Sequence, residues 1–113
     1  MLKREYRLRK KYMFNYCYKV GKVAYSKSSL FYYTPSNNKF VKIGISVSKK
    51  VGGAVQRNRA RRVIREAITP FLHTINQKYN IIIVAKENIL DFSLNELQKD
   101  FEYMWNKAGL INE

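Results

Sequence analysis

Residues 40–69 read Phe40-Val41-Lys42-Ile43-Gly44-Ile45-Ser46-Val47-Ser48-Lys49-Lys50-Val51-Gly52-Gly53-Ala54-Val55-Gln56-Arg57-Asn58-Arg59-Ala60-Arg61-Arg62-Val63-Ile64-Arg65-Glu66-Ala67-Ile68-Thr69. The first part alternates. Val41, Ile43, Ile45 and Val47 fall on one side and Phe40, Lys42, Gly44 and Ser46 on the other, which is the period of a strand with one buried face. Gly44 leaves the backbone of the second face open to a ligand or another chain. Ser48–Gly53 reads as a loop. From Ala54 to Thr69 the period becomes helical: at 100° per residue, Ala60, Val63, Ile64, Ala67 and Ile68 share an arc of roughly 140°. Arg57, Asn58, Arg59, Arg61, Arg62 and Arg65 occupy the rest of the circumference. A one-sided strand feeding a one-sided helix makes the chain α+β.

Outward from this stretch, Pro70 must end or kink the helix. Phe71, Leu72 and Ile75 keep the apolar spacing, so a second short helix is expected with Thr69 as its N-cap and Pro70 at its first position. The continuous apolar run Ile81–Ala85 suits a strand covered on both faces. Ser93 followed by Glu96 forms a capping box ahead of a stripe of Leu94, Leu97, Phe101, Met104, Trp105 and Ala108, with Gly109 as the stop. Upstream, residues 10–20 form a short helix with Phe14, Cys17 and Tyr18 at helical spacing, and Gly21 ends it. Val23–Tyr25 and Ser29–Thr34 read as strands, followed by the turn cluster Pro35-Ser36-Asn37-Asn38. Residues 1–9 look extended or mobile. The order is α-β-β-β-α-β-α, one domain over residues 1–113.

Charge is unevenly placed. Residues 1–65 hold 18 lysines and arginines against the single acid Glu5, whereas residues 66–113 hold 4 against 7 acids. The net charge of +14 is therefore a +17 segment followed by a −3 segment. Such a field calls for an anionic partner, nucleic acid first and an anionic membrane surface second. Arginine suits phosphate because its planar fork makes paired hydrogen bonds. A solvated helix face normally mixes signs, and a membrane-surface helix would carry Trp or Phe in its apolar arc. The basic helix does neither. Aromatic rings interleaved with lysines in residues 10–33 offer stacking platforms for unpaired bases, although strand alternation puts Phe31 and Tyr33 on one face and Tyr32 on the other.

Other classes are excluded. A single cysteine, Cys17, allows no internal disulfide and, with no Cys/His cluster, no structural zinc site. The basic start has no apolar signal region, and Ile81–Ala85 falls far short of the ~20 residues of a membrane helix. We therefore expect a cytoplasmic protein. Ser48–Gly53 lacks P-loop spacing. His73 has no acid, serine or cysteine arranged around it, and the carboxylates Glu87, Asp91, Glu96, Asp100 and Glu102 match no catalytic spacing. No catalytic residue and no metal ligand is assigned.

The two blocks Gly44–Gly52 and Ala54–Ala67 together closely resemble the core of the bacterial ribonuclease P protein component, and the second block resembles that family's RNR motif. Arg7-Leu8-Arg9-Lys10, Phe14 and the strand Ile81–Lys86 fit as well, so the likeness covers about residues 4–108. The resemblance implies a two-layer sandwich with a four-stranded mixed sheet and a left-handed β-α-β crossover, an exception to the usual rule. It implies a protein subunit that pairs with a large catalytic RNA, which uses Mg²⁺ to remove the 5′ leader of precursor tRNA; the protein alone is not expected to cleave. By the same resemblance Lys49, Lys50, Arg57, Asn58, Arg59, Arg61, Arg62 and Arg65 contact the catalytic RNA, and Phe14, Tyr18 and Tyr32 contact the leader. No protein-bound cofactor, membrane contact or protein partner is implied. Gly53 stands where a polar residue such as Asn is usual, which loosens the helix start, and the acidic C-terminal part lacks a basic tail. A ribosome-associated structural RNA-binding protein is the competing reading, and a stand-alone nuclease is a third.

Overall fold

The apolar run of the sequence lies inside the sheet. In a computed structural model describing residues 3–111, β4 (Tyr79–Ala85) runs antiparallel to β2 (Ser29–Pro35) on one side and parallel to β3 (Lys42–Ser46) on the other. The edge strand β1 (Lys22–Tyr25) completes the order β1-β2-β4-β3 as a hairpin with β2. A strand with neighbours on both sides and helices above and below has no polar face to show, which is why Ile81, Ile82 and Ile83 are each 0% exposed. Each such side chain contributes about 1.5–3 kcal/mol by burial.

Three helices complete the order: α1 (Lys11–Val20), α2 (Ala54–Ile68) and α3 (Leu94–Lys107). Helices α2 and α3 pack against one sheet face. Ile81, Ile83, Phe31 and Ile43 meet Ala60, Ile64, Ala67 and Ile68 from α2 and Leu97, Phe101, Met104 and Trp105 from α3. Phe31 is the hub of the aromatic part, 5.3 Å from Phe101 and 4.9 Å from Trp105, centroid to centroid. The arc expected for α2 is thus the core face, with Val63 half-buried at its margin. A smaller cluster of Leu8, Cys17 and Ile82 lies under α1 on the opposite face.

Local chemistry explains the element ends. Ser93 Oγ accepts from the Glu96 N–H at 3.2 Å, and Glu96 Oε1 accepts from the Ser93 N–H at 2.9 Å, closing the capping box of α3. These hydrogen bonds hold the Glu96 carboxyl below the usual carboxylate range. Gly109 follows α3 with φ 71°, the left-handed geometry expected of a stop glycine.

Several expectations need correction. Thr69 does not cap a second helix. It stays in the helical conformation and its Oγ1 donates to the Arg65 carbonyl at 2.7 Å. Pro70, which has no N–H, is absorbed by tightening into a 3-10 turn, Thr69–Phe71. Leu94, the first residue of α3, is exposed rather than part of the buried stripe. Phe40 lies before β3 and packs against the main core, edge-on to Tyr6 at 5.5 Å. Lys49–Val51 forms a 3-10 turn within the expected loop. The start of the chain is fastened: Arg4–Tyr6 is a 3-10 turn, Tyr6 and Leu8 are buried, and the Leu8 N–H donates to Ile43 O at 3.0 Å. Met1 and Leu2 of the stretch expected to be extended or mobile lie outside the described residues.

Candidate nucleic-acid interface

Strand register arranges the second sheet face in rows. Lys42, Asn80 and Thr34 form one; Gly44, Ile82, Tyr32 and Val23 form the next; Ser46, Val84, Leu30 and Tyr25 form the third. Helix α1 sits over the first two. Phe14 lies on Gly44, and Tyr18 meets Tyr32 edge to face at 4.8 Å. Between them the Cys17 thiol points into the sheet, 3.6 Å from Tyr32 O and 3.9 Å from Asn80 O, and burial pushes its pKa up to about 11. Phe14 and Tyr32 are half-buried and Tyr18 is 39% exposed, so all three rings keep accessible surface. Tyr12 and Tyr16 point to solvent on the far side of α1, and Lys10 Nζ lies 5.9 Å from the Tyr12 ring centroid.

Helix α2 carries the basic residues along its outer side. Asn58, Arg59 and Arg62 are exposed, and Arg57, Arg61 and Arg65 are half-buried. Several are oriented by local hydrogen bonds. Arg61 Nη1 donates to Asn58 Oδ1 at 2.9 Å, Arg65 Nε donates to Arg61 O at 3.2 Å, and Arg62 pairs with Glu66 at 3.4 Å. In Arg65 and Arg62 the bond uses Nε, which leaves the paired terminal nitrogens for an outside anion. The Arg62–Glu66 pair is solvent-exposed and adds little to stability. A recess of about 490 Å³ is lined by Asn58, Arg62, Arg65 and Glu66.

The turn before α2 presents exposed Lys49 and Lys50, and Ser48 Oγ accepts from the Lys50 N–H at 3.3 Å. Gly52 has φ 149°, and a Cβ there would meet Gln56 Cβ at 2.8 Å, so this reversal needs glycine. Gly53 is the N-cap of α2 and supplies no side-chain acceptor, as its place in the sequence implied.

One residue from each group read separately from the sequence, Phe14 and Arg65, meets the other in one depression. A cavity of about 390 Å³ is bordered by Arg7 and Arg9 from the basic start, Phe14 from α1, Gly44 and Ile45 from β3, and Arg65 from α2. Arg65 borders this cavity and the recess along α2. Arg7, Arg9 and Lys10, quoted above only as part of the family likeness, and Lys42 were given no binding role. With Arg4, Glu5 and Met13 they line a larger recess of about 740 Å³, built when residues 7 and 8 pair with the edge of β3. The charge of the first eleven residues and the likeness at residues 7–10 were the signals, and neither says where these residues dock.

Among the described residues, no group of three or more His, Cys, Asp or Glu could hold a metal ion, and no helix is long and apolar enough to cross a membrane. His73 is exposed just beyond the Pro70 turn.

Comparison with known proteins agrees with the fold. A family model described as Ribonuclease P matches residues 2–109. The ribonuclease P protein component of Clostridium novyi is 37% identical, covering 98% of this chain and 100% of that one. A solved structure of the Staphylococcus aureus RNase P protein superposes with a TM-score of 0.81 at 33% identity, covering 95% of this chain and 98% of that one. The Thermotoga maritima protein shares the fold with a TM-score of 0.80 at 20% identity. The chain belongs to the ribonuclease P protein component family, the protein subunit of the ribonucleoprotein endoribonuclease that processes tRNA.

Proposed function

We propose that this subunit grips two RNAs at once. Lys49, Lys50, Arg57, Asn58, Arg59, Arg61, Arg62 and Arg65 dock the catalytic ribonuclease P RNA through its phosphates. Phe14, Tyr18 and Tyr32 receive the single-stranded 5′ leader of precursor tRNA by stacking. The described part of the 113-residue chain shares one main core, and the chain acts as a single unit in the cytoplasm. The observation that carries this reading is the cavity shared by Phe14, Gly44 and Arg65. It joins the Phe14 ring to Arg65 of the arginine helix, so a strand lying on that ring would run beside a face that neutralises phosphate. Mg²⁺ belongs to the RNA in this scheme. The protein contributes position and charge; the bond-breaking step lies with the RNA. A ribosome-associated structural role is not favoured, since the family match and the relatives reported above are all ribonuclease P proteins.

The test is binding by the reconstituted holoenzyme. Precursor tRNA carrying a leader is expected to bind more tightly than mature tRNA, with Tyr32→Ala narrowing the difference. Equal affinity of the unmodified holoenzyme for both RNAs would overturn the leader role.

A further inference from the structure

The third row of the open sheet face, Ser46-Val84-Leu30-Tyr25, is not roofed by the contacts that α1 makes. Phe14, Cys17 and Tyr18 all land on the rows through Gly44 and Asn80. Ser46, Val84 and Leu30 are half-buried, and Tyr25, at the β1 edge, is 60% exposed. Alternation along β1 settles its direction. Ala24 is buried in the main core opposite Phe31, so Tyr25 points to the same side as Tyr32. The row therefore begins beside the Phe14–Gly44 pocket, crosses all four strands and ends on an exposed ring. At ~4.8 Å between strands, that is roughly 14 Å from β3 to β1.

Two further observations say what lies there. A recess of about 530 Å³ beside the row at Leu30 carries three lysines against one acid: Lys27, Lys50 and Lys86 border it with Ser48 and Glu87. The hairpin that carries Tyr25 is also held firmly. Ser26 Oγ accepts from the N–H groups of Ser28 and Ser29, Lys86 Nζ donates to Ser26 O, and Ser28 Oγ donates to Asp100 on α3. An exposed ring on a fastened hairpin beside lysines is the arrangement that stacks unpaired bases, and four-stranded sheets in RNA-recognition modules stack about two or three of them.

We infer that Tyr25 is a terminal base-stacking subsite: single-stranded RNA entering at Phe14 and Tyr32 continues along the Ser46–Leu30 row, and one further base rests on the Tyr25 ring while Lys27 meets its phosphate. This rests on the leader reading above and extends it by one nucleotide position toward the β1 edge. Exposed Val23 and Tyr25 on an edge strand would also suit a second protein chain. The flanking Lys22 and Lys27, and three lysines against the single acid Glu87 around the recess, favour RNA; Asp100 is engaged by Ser28.

The test uses the reconstituted holoenzyme and precursor tRNAs whose leaders lengthen one nucleotide at a time. Affinity is expected to rise with leader length to a plateau. Tyr25→Ala should leave the shortest leaders unaffected and lower the plateau about 5- to 10-fold, the low end of a base stacked on a ring, and Tyr25→Phe should keep it. If Tyr32→Ala weakens leader binding and Tyr25→Ala does not, the subsite is wrong and the leader reading stands. If neither matters, the leader reading fails and the subsite falls with it. If Tyr25→Ala instead changes the sedimentation of the protein alone from a self-associated form to a monomer, the ring belongs to a protein interface and the inference is overturned.

Discussion

The Phe14 ring lies directly on the backbone of Gly44: a Cβ on that glycine would come within 2.4 Å of Phe14 Cζ and 2.6 Å of Cε1. No side chain fits at position 44 while the ring stays. Gly44→Ala is expected to cost about 1–3 kcal/mol, as overpacking does. In a Phe14→Ala background, where the ring is absent, the same substitution should cost at least ~1 kcal/mol less. Urea unfolding of the four proteins, followed by the fluorescence of the single tryptophan, Trp105, measures the coupling; additive costs would mean the ring does not occupy this place.

Arg57 is a half-buried arginine on the outer side of α2. If it neutralises a phosphate of the catalytic RNA, Arg57→Ala should lower the slope of log affinity against log salt by roughly 0.7–0.9. Tyr32→Ala should reduce leader affinity with little change in that slope, because stacking releases no counterions. A titration series across salt concentrations separates the two; an unchanged slope for Arg57→Ala removes it from the phosphate-binding set.

Helix α2 begins without a side-chain cap, because Gly53 has none to give. Its backbone, at φ −72° and ψ −174°, is extended and open to any residue. An added Cβ would approach only the far end of Gln56, with Oε1 at 3.2 Å. Gly53→Asn is therefore expected to stabilise the fold by about 0.5–1 kcal/mol, through a cap to the first-turn N–H groups and a less flexible unfolded chain. Thermal unfolding should show a gain of a few degrees, at unchanged affinity for the catalytic RNA.

Burial raises the Cys17 thiol from 9.0 to about 11, so the folded state holds its proton where the unfolded state releases it. The associated stability is whole below pH 9 and is lost as pH climbs from 9 toward 11. The difference in stability between the native chain and Cys17→Ala, measured across that window, should shrink as pH rises. At neutral pH the folded protein should resist thiol alkylation until denaturant opens it; rapid alkylation of folded protein would show that the Cys17 niche under α1 is open.

Periodicity made the elements legible, because each depends on residues a few positions apart. The α2 arc, the alternation of β3 and the Ser93–Glu96 box all follow from local spacing. What occupied each face was not legible. Gly44 could be read as open backbone, but its occupant is thirty residues earlier in the chain. Arg65 and Phe14 were read as parts of different sites, and only the packing of α1 and α2 around β3 brings them to one cavity. The Ser46–Tyr25 row exists through inter-strand register alone. Thr69 was misread because a threonine before proline has the same local pattern whether it starts a helix or accompanies one into a tighter turn.

Strand β4 is the last to be synthesised, yet it lies between β2 and β3. A ribosome-bound chain that has emitted its entire +17 segment still lacks the strand that joins its hairpin to β3. Until residue 85 emerges, the open sheet face has no centre: Gly44 and Tyr32 belong to separate pieces, although every arginine of α2 is already outside. The charge thus precedes the finished sheet face. During synthesis the chain carries its full positive charge before its mildly acidic final third arrives to close the sheet.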